Sequence, residues 1–352
     1  MLNRLPAINY LKYYKRAVIT NTAPPYKFSH ARTALKIGLN FLNLKPKDEV
    51  LIPELICDVV IQPFNELEIL PIFYPVNEML SPVWDEVKKK LTKNTKAIMM
   101  VHYFGQPNDI SAFEDFCRNN NIYLIEDNAH GHGGKFLGRD LGTFGDIGIS
   151  SPRKSFPILN GGYLYLKNRY INGLQEFKLE PINIFLKQCK SLIKMAISYS
   201  PFVYRRFMKI SHNTFPSIFS EPHISEWGMD KESEDFLINQ NFERDRKRRQ
   251  LIYNIWKYWA ESQGLKPIFK VLDPGAIPLN FPAYISSEMK SKQWFDWGYK
   301  NSVDVHYWPN LPVELIRRES NILSLWERII CFPIHTLMNP EQIRRKLSHL
   351  SF

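Results

Sequence analysis

The chain has 352 residues, 44% of them hydrophobic and 23% charged, proportions of a globular protein large enough to divide into two domains. No apolar run approaches the ~20 residues of a spanning helix. The first residues lack the pattern of a signal peptide, and Cys57, Cys117, Cys189 and Cys331 have neither metal nor disulfide spacing, so a cytoplasmic protein is expected. The net charge of +11 admits a nucleic acid, an anionic membrane or a polyanionic substrate, and a generic basic surface accounts for it equally well. With no zinc-ligand spacing and no RNP-like aromatic motif, nucleic acid is not the expected partner.

Residues 1–28 are aromatic, basic and irregular, and read as an N-terminal arm. A helix follows, with Ser29 as its N-cap and Leu35, Leu39 and Leu42 along one face. Strands are predicted over Glu49–Ile52, Glu68–Phe73, Lys96–His102 and Ile122–Glu126, with helices over Asp58–Phe64, Pro82–Leu91 and Ile110–Asn119. Such alternation gives an α/β fold whose parallel strands bind ligands beyond their carboxyl ends. Residues 29–232 form the large domain of this plan. Within it, 168–228 is a divergent, insert-like stretch with an apolar helical stripe at Phe185, Cys189, Leu192 and Ala196 and Lys187, Lys190 and Lys194 opposite.

Residues 233–352 read as one long helix, Ser233–Gly264, followed by a small α+β domain. Its strands are predicted at Ile277–Ile285 and Val303–Tyr307, with a helix at Ser287–Trp297. The cluster Arg244, Arg246, Lys247, Arg248 and Arg249 reads as a solvated helix face.

The plan is organised around Leu124–Leu166. This stretch holds a strand ending in Glu126-Asp127, a glycine-rich turn region, a second strand, a lone Lys154, and Gly161-Gly162 before a third strand. An acid at one strand's end and a lysine shortly after another suit pyridoxal 5'-phosphate (PLP), whose aldehyde bonds to the lysine and whose ring nitrogen the acid keeps protonated. A lone lysine is usually a surface residue and an aspartate at a strand end is often a helix cap. The joint spacing therefore carries the reading.

The same stretch resembles the DegT/DnrJ/EryC1/StrS family of PLP-dependent sugar aminotransferases. Glu126-Asp127-Asn128-Ala129-His130 matches the family's ED-x-A-Q, with His130 in the glutamine's place. Residues 138–148 match its G-R-x-x-G-x-F-G-D-x-G run, and Lys154 stands seven residues before Gly161. Residues 48–53, 101–107 and 330–335 resemble its GDEV-x-x-P strand, VH-x-x-G-x-P loop and closing LP-x-H segment.

The resemblance implies a PLP-dependent transferase of fold type I, a mainly parallel sheet flanked by helices with a smaller C-terminal α+β domain. It implies Lys154 as the cofactor-bearing lysine and proton carrier, Asp127 as the partner of the ring nitrogen and His130 on the phenolic oxygen. The backbone of Arg32 and Thr33, and either Ser150 or Ser151, would hold the phosphate. An amino acid, glutamate or glutamine, would donate its amino group to a keto-sugar carried on a nucleoside diphosphate, in surface polysaccharide or glycan biosynthesis. The family's dehydratases carry histidine at the lysine position, so Lys154 favours amination.

A homodimer with active sites at its interface is also implied, although the family's G-Y-N-x-R loop, which reaches a neighbouring subunit's phosphate, is replaced by Glu226-Trp227-Gly228-Met229. The ring-stacking position falls nearest Cys57, which reads as a small core residue rather than a nucleophile. Arg153 either lowers the Lys154 pKa by like charge, contacts phosphate or substrate, or is a surface residue. Two other classes stay open. One is a catalytically silent or regulatory PLP-fold binding protein, which the intact Asp127 and Lys154 oppose. The other is a basic membrane-surface protein using residues 177–210, for which burial on the chain's own core is the default.

Overall fold

A computed structural model describes residue 2 and residues 25–167, 177–179, 223–224, 226–285, 288–308, 310–318 and 320–352. The expectations for residues 3–24 and for the lysine-flanked stripe at 185–196 lie outside the described residues. Among the described residues no helix is long and apolar enough to cross a membrane.

The larger sheet comprises β1 (Tyr26–Phe28), β2 (Glu49–Pro53), β3 (Leu70–Tyr74), β4 (Thr95–Val101), β5 (Tyr123–Asn128), β8 (Ile147–Ser150) and β9 (Gly162–Leu166). A two-stranded hairpin, β6 (Lys135–Phe136) with β7 (Arg139–Asp140), sits between β5 and β8 in the chain. The strand order is β1-β9-β8-β5-β4-β2-β3. Strands β3, β2, β4, β5 and β8 run parallel, whereas β9 and β1 are antiparallel additions.

The parallel strands are apolar runs because both of their faces are covered. Along β4, Ala97, Met99 and Val101 join the core cluster that contains α1 (Ala31–Phe41), while Ile98 and Met100 join the one that contains α4 (Ile110–Asn120). Helix α1 bears Leu35, Leu39 and, just past its end, Leu42 inward as its periodicity predicts. It lies so close to the sheet that a Cβ on Gly38 would meet the Ile147 and Leu164 δ-carbons at 2.8 and 2.9 Å. Between β2 and β4 the chain order reverses, so the carboxyl ends of these strands open a crevice.

Several expected elements differ in detail. The helix expected over Asp58–Phe64 is a 3₁₀ turn, Asp58–Val60, followed by α2 (Gln62–Glu66), because Pro63 lacks the amide needed to continue the first turn. Helix α3 spans Trp84–Lys89. The single long helix is two: α5 (Lys231–Ile238) and α6 (Phe242–Ser262). Asn241 interrupts it by turning its side chain to accept from the Arg244 amide, starting a new helix. Along α6, Asp245, Arg249, Ile252, Tyr253, Trp256 and Ala260 face inward, so Arg249 is fully buried rather than part of a solvated basic face.

A second sheet pairs β10 (Lys266–Pro267), β11 (Asn280–Tyr284) and the later β12 (Ile329–Pro333), all antiparallel. Residues 277–279 do not join β11 because they dock on the first sheet's loops: Leu279 N–H donates to the Phe104 carbonyl at 2.9 Å. Helix α7 (Glu288–Asn301) follows. The strand expected at Val303–Tyr307 is extended chain making isolated bridges to Leu2 and Cys331. Helices α8 (Val313–Arg317), α9 (Ile322–Trp326) and α10 (Pro340–Leu347) complete the described chain, the last capped by Asn339. One cluster of buried side chains takes in residues of both sheets.

Candidate active site

Asp127 is the next-to-last residue of β5, Ile149 lies in β8, and Val101 ends β4, so three neighbouring parallel strands deliver their carboxyl ends to one cavity. Lys154 enters it from the 3₁₀ turn Pro152–Lys154 that follows β8, and His30 and Arg32 enter from the start of α1. His130, Ser151, Arg153 and Cys57 complete its polar lining.

The approach of α1 to this rim is set by Gly162. A Cβ there would lie 2.1 Å from the His30 carbonyl carbon and 2.3 Å from the Ala31 nitrogen, so only glycine lets β9 pass beneath the helix start. Gly161 N–H donates to the Ser29 carbonyl at 2.7 Å, and Ala34 N–H to the His30 carbonyl at 3.2 Å. Ser29 is not the N-cap. That place belongs to His30, whose side chain does not cap the helix, and the Ser29 hydroxyl pairs instead with His30 Nδ1 at 2.9 Å. With no acidic residue in its first turn, the amide end of α1 faces the cavity as a site for negative charge.

Asp127 is buried, and its Oδ1 accepts from the Ala129 amide at 2.8 Å. Burial pushes its carboxyl above the usual carboxylate range, and the nearby positive charge of Lys154 and the Ala129 amide only partly offset this. His130 Nδ1 accepts from the Phe104 amide at 3.2 Å, which leaves the proton of the neutral ring on Nε2. Burial, and then the charge of Lys154, hold His130 well below its usual pKa, so it stays neutral. Trp308 packs edge-on against the His130 ring with 4.3 Å between centroids.

Behind Asp127, Glu126 organises the glycine-rich turn. Its Oε1 accepts from the Gly142 amide at 2.6 Å and from His102 Nε2–H at 2.9 Å; its Oε2 accepts from the Phe144 and Gly145 amides at 2.6 and 3.0 Å. The His102 tautomer is fixed because Nδ1 accepts from the Asn108 amide at 3.0 Å. Burial alone would raise the Glu126 pKa, but the His102 bond and the turn amides outweigh it and hold the carboxylate below its usual range.

Of the residues singled out in the sequence, Lys154, Asp127, His130, Arg32 and Ser151 line the cavity, and Thr33 and Ser150 do not. Thr33 is buried within α1. Ser150 is committed to His132, whose Nδ1 lies 2.9 Å from its hydroxyl, and to Tyr165. Burial takes His132 down to about 3, so it is a neutral core residue. Cys57 lines the cavity, and burial raises its thiol to about 11 despite the charge of Lys154, which suits a wall residue rather than a nucleophile. Sequence reasoning missed Trp308, whose only signal is an aromatic in His306-Tyr307-Trp308, and the structural tasks of Glu126 and His102.

The residues present fit PLP. A carboxyl held high by burial would meet a protonated ring nitrogen, Lys154 would meet the aldehyde, and the amide end of α1 with Arg32 would meet the phosphate.

Residues 26–173 match the model of the DegT/DnrJ/EryC1/StrS aminotransferase family. The chain is 34% identical over 139 residues to a GDP-perosamine synthase of Vibrio cholerae, 38% of each sequence. It is equally identical over 135 residues to a dTDP-4-dehydro-2,3,6-trideoxy-D-glucose 4-aminotransferase of Saccharopolyspora spinosa, 38% of this chain and 35% of that one. The matched part thus spans little more than a third of these curated relatives. In three dimensions the chain superposes on a putative sugar aminotransferase, Spr1654, of Streptococcus pneumoniae in its PLP form, with a TM-score of 0.71 at 14% identity over 99% of this chain and 97% of that one. By sequence, residues 26–173 are similar to the DegT/DnrJ/EryC1/StrS aminotransferase family, and the fold is that of the solved Spr1654 structure.

Proposed function

We propose that the protein is a PLP-dependent aminotransferase that moves an amino group from an amino acid, glutamate or glutamine, to a keto-sugar carried on a nucleoside diphosphate. The observation that carries the reading is the convergence of buried Asp127, neutral His130 and Lys154 on one cavity at the strand ends, beside the amide end of α1. Bound there, PLP supplies an electron sink for a carbanion at the carbon it activates. Asp127, whose carboxylate burial disfavours until a positive charge pairs with it, would hold a protonated ring nitrogen. His130, its acceptor nitrogen taken by the Phe104 amide, would donate its Nε2 proton to the phenolic oxygen. Lys154 would bear the cofactor's aldehyde and, with its amine free, would serve as the base that holds and moves the proton of the donor's α-carbon. Arg32, Ser151 and the α1 amides would hold the phosphate, and Arg153, also in the lining, would pair with an anionic group of the substrate.

The relatives named above act on nucleotide-linked sugars by their names, which supports that substrate class, and a lysine at 154 favours amination over dehydration. We place the enzyme in the cytoplasm as a homodimer, with a PLP-binding domain over 29–232 and a smaller domain over 233–352, serving surface-glycan biosynthesis. The test is direct. The purified protein reconstituted with PLP is reduced with borohydride and mapped; the pyridoxyl group is expected on Lys154, and the visible spectrum should change on adding glutamate. A pyridoxyl group elsewhere, or no bound PLP, overturns the reading.

A further inference from the structure

Arg249 is the largest charged side chain in the described core, fully buried in the middle of α6. A guanidinium taken out of water is costly unless its donors are met, and an aliphatic side chain would fill the same space at lower cost. Here the donors are met by three separate segments. Nη2 donates to the Ser155 carbonyl at 2.6 Å, while Nη1 donates to the carbonyls of Pro278 at 3.3 Å and Ile334 at 3.4 Å. Nε donates to Asp245 Oδ2, one turn earlier on α6, at 2.8 Å, and the Phe156 ring lies beneath the guanidinium at 5.7 Å.

Two of these segments touch the cavity's chemistry. Ser155 directly follows Lys154 and caps the 3₁₀ turn that carries it, with its own amide bonded to the Pro152 carbonyl. Pro278 precedes Leu279, whose amide holds the Phe104 carbonyl, and the Phe104 amide in turn fixes the His130 ring. One planar group therefore ties the lysine turn and the support of His130 to α6 and to the end of β12.

We propose that Arg249 is a positioning residue for Lys154: it clamps the Ser155 carbonyl, fixing the turn from which the lysine reaches the cavity, and through Pro278 braces His130. The proposal rests on the reading of Lys154 as the reacting lysine. It is tested with a double variant, Arg249→Met with Asp245→Leu, which removes the pair together and leaves no buried charge alone. In the apoprotein, acylation of Lys154 relative to exposed Lys167, followed by peptide mass spectrometry, should rise several-fold as the turn loosens. In the PLP-loaded protein kcat should fall about a hundredfold, the order expected for a misplacement of ~1 Å, with KM for the amino donor little changed. If the double variant fails to fold, Arg249→Lys carries the test: it keeps the charge beside Asp245 but has no planar fork to span three carbonyls, and the same two readouts should move in the same directions. A lowered Tm with wild-type Lys154 acylation and wild-type kcat would make Arg249 a stabilising residue only and overturn the proposal. Absence of PLP from Lys154 in the unmodified protein would instead sink the functional reading, while the acylation arm would still decide the clamp.

Discussion

Residues 124–166 and residues 231–352 both serve the cavity, but they do so in opposite ways. The first stretch places Asp127, His130, Ser151 and Lys154 in its lining within 28 positions of sequence, because β5 and β8 are neighbouring parallel strands that end at the same rim. Among the described residues the second places only Trp308 in the lining and otherwise acts from behind, through Arg249 and through the docking of Leu279 on Phe104. Groups that touch an occupant must converge, and parallel strand ends converge cheaply. Groups that hold those groups still can arrive from any part of the chain, by hydrogen bonds to backbone carbonyls that no side-chain pattern announces.

Replacements in the first stretch should therefore act on the chemistry, and those in the supporting layer on stability or geometry. The largest effect is expected for Lys154→Ala, which should abolish turnover and borohydride-dependent labelling while the circular dichroism spectrum stays that of the parent. Residual turnover near the parental rate would break the comparison at its strongest point. Asp127→Asn comes next. The isosteric amide cannot balance a protonated ring nitrogen, so kcat should fall on the order of 10²-fold or more with the fold retained, as steady-state kinetics would measure.

Glu126 sharpens the contrast, since it stands beside Asp127 in sequence but belongs to the supporting layer. All four of its neighbours are donors, the amides of Gly142, Phe144 and Gly145 and His102 Nε2–H, so the NH₂ of a glutamine would face donors with a donor. Glu126→Gln should cost roughly 3 kcal/mol of stability in denaturant titration. The sign of the pH effect follows from its depressed folded-state pKa. The stabilisation is fully present above the ordinary carboxylate range and is lost as pH falls through the lowered folded value. The parent should therefore lose stability towards acid more steeply than the variant, and parallel acid curves would remove Glu126 from that role.

How much was legible follows the same division. The spacing Asp127–Lys154–Gly161 marks the site because each residue's position is dictated by a strand end or by close approach, and Gly162 is explained by the 2.1 Å a Cβ would leave to the His30 carbonyl carbon. The order of strands and helices up to Glu126 is legible because buried parallel strands are apolar runs. The break at Asn241 was not, since a capping asparagine inside an otherwise continuous helical pattern looks like an exposed polar residue until its side chain turns to the Arg244 amide. Arg249 was misread for a related reason: in a run of five basic residues within six positions, composition says solvent, and only the phase of α6, set by Ile252, Trp256 and Ala260, turns that one inward.

The smallest effect is expected at His130, although it lies as deep in the cavity as Asp127 and beside the same lysine. Its ring is neutral, so it contributes no charge at any step, and the hydrogen bond proposed for it to a phenolic oxygen would be of the ordinary neutral kind, worth about 0.5–1.5 kcal/mol. Glutamine offers the same pair of functions at similar reach, an oxygen to accept from the Phe104 amide and an NH₂ to donate towards the cavity. It loses the edge-on packing against Trp308, which adds about 0.5–1.5 kcal/mol at most. His130→Gln should therefore lower kcat by no more than about tenfold, the rate equivalent of ~1.4 kcal/mol, and Trp308→Leu should do no more, since it removes only the packing partner. Because the His130 pKa is depressed by burial and by Lys154, the parent's kcat should show no limb near the usual histidine range, and the glutamine variant's profile should overlay it. A glutamine variant less active than Asp127→Asn, or one that erases an existing limb, would move the charge-bearing role from the aspartate to the histidine and reverse the order of effects within the 124–166 stretch.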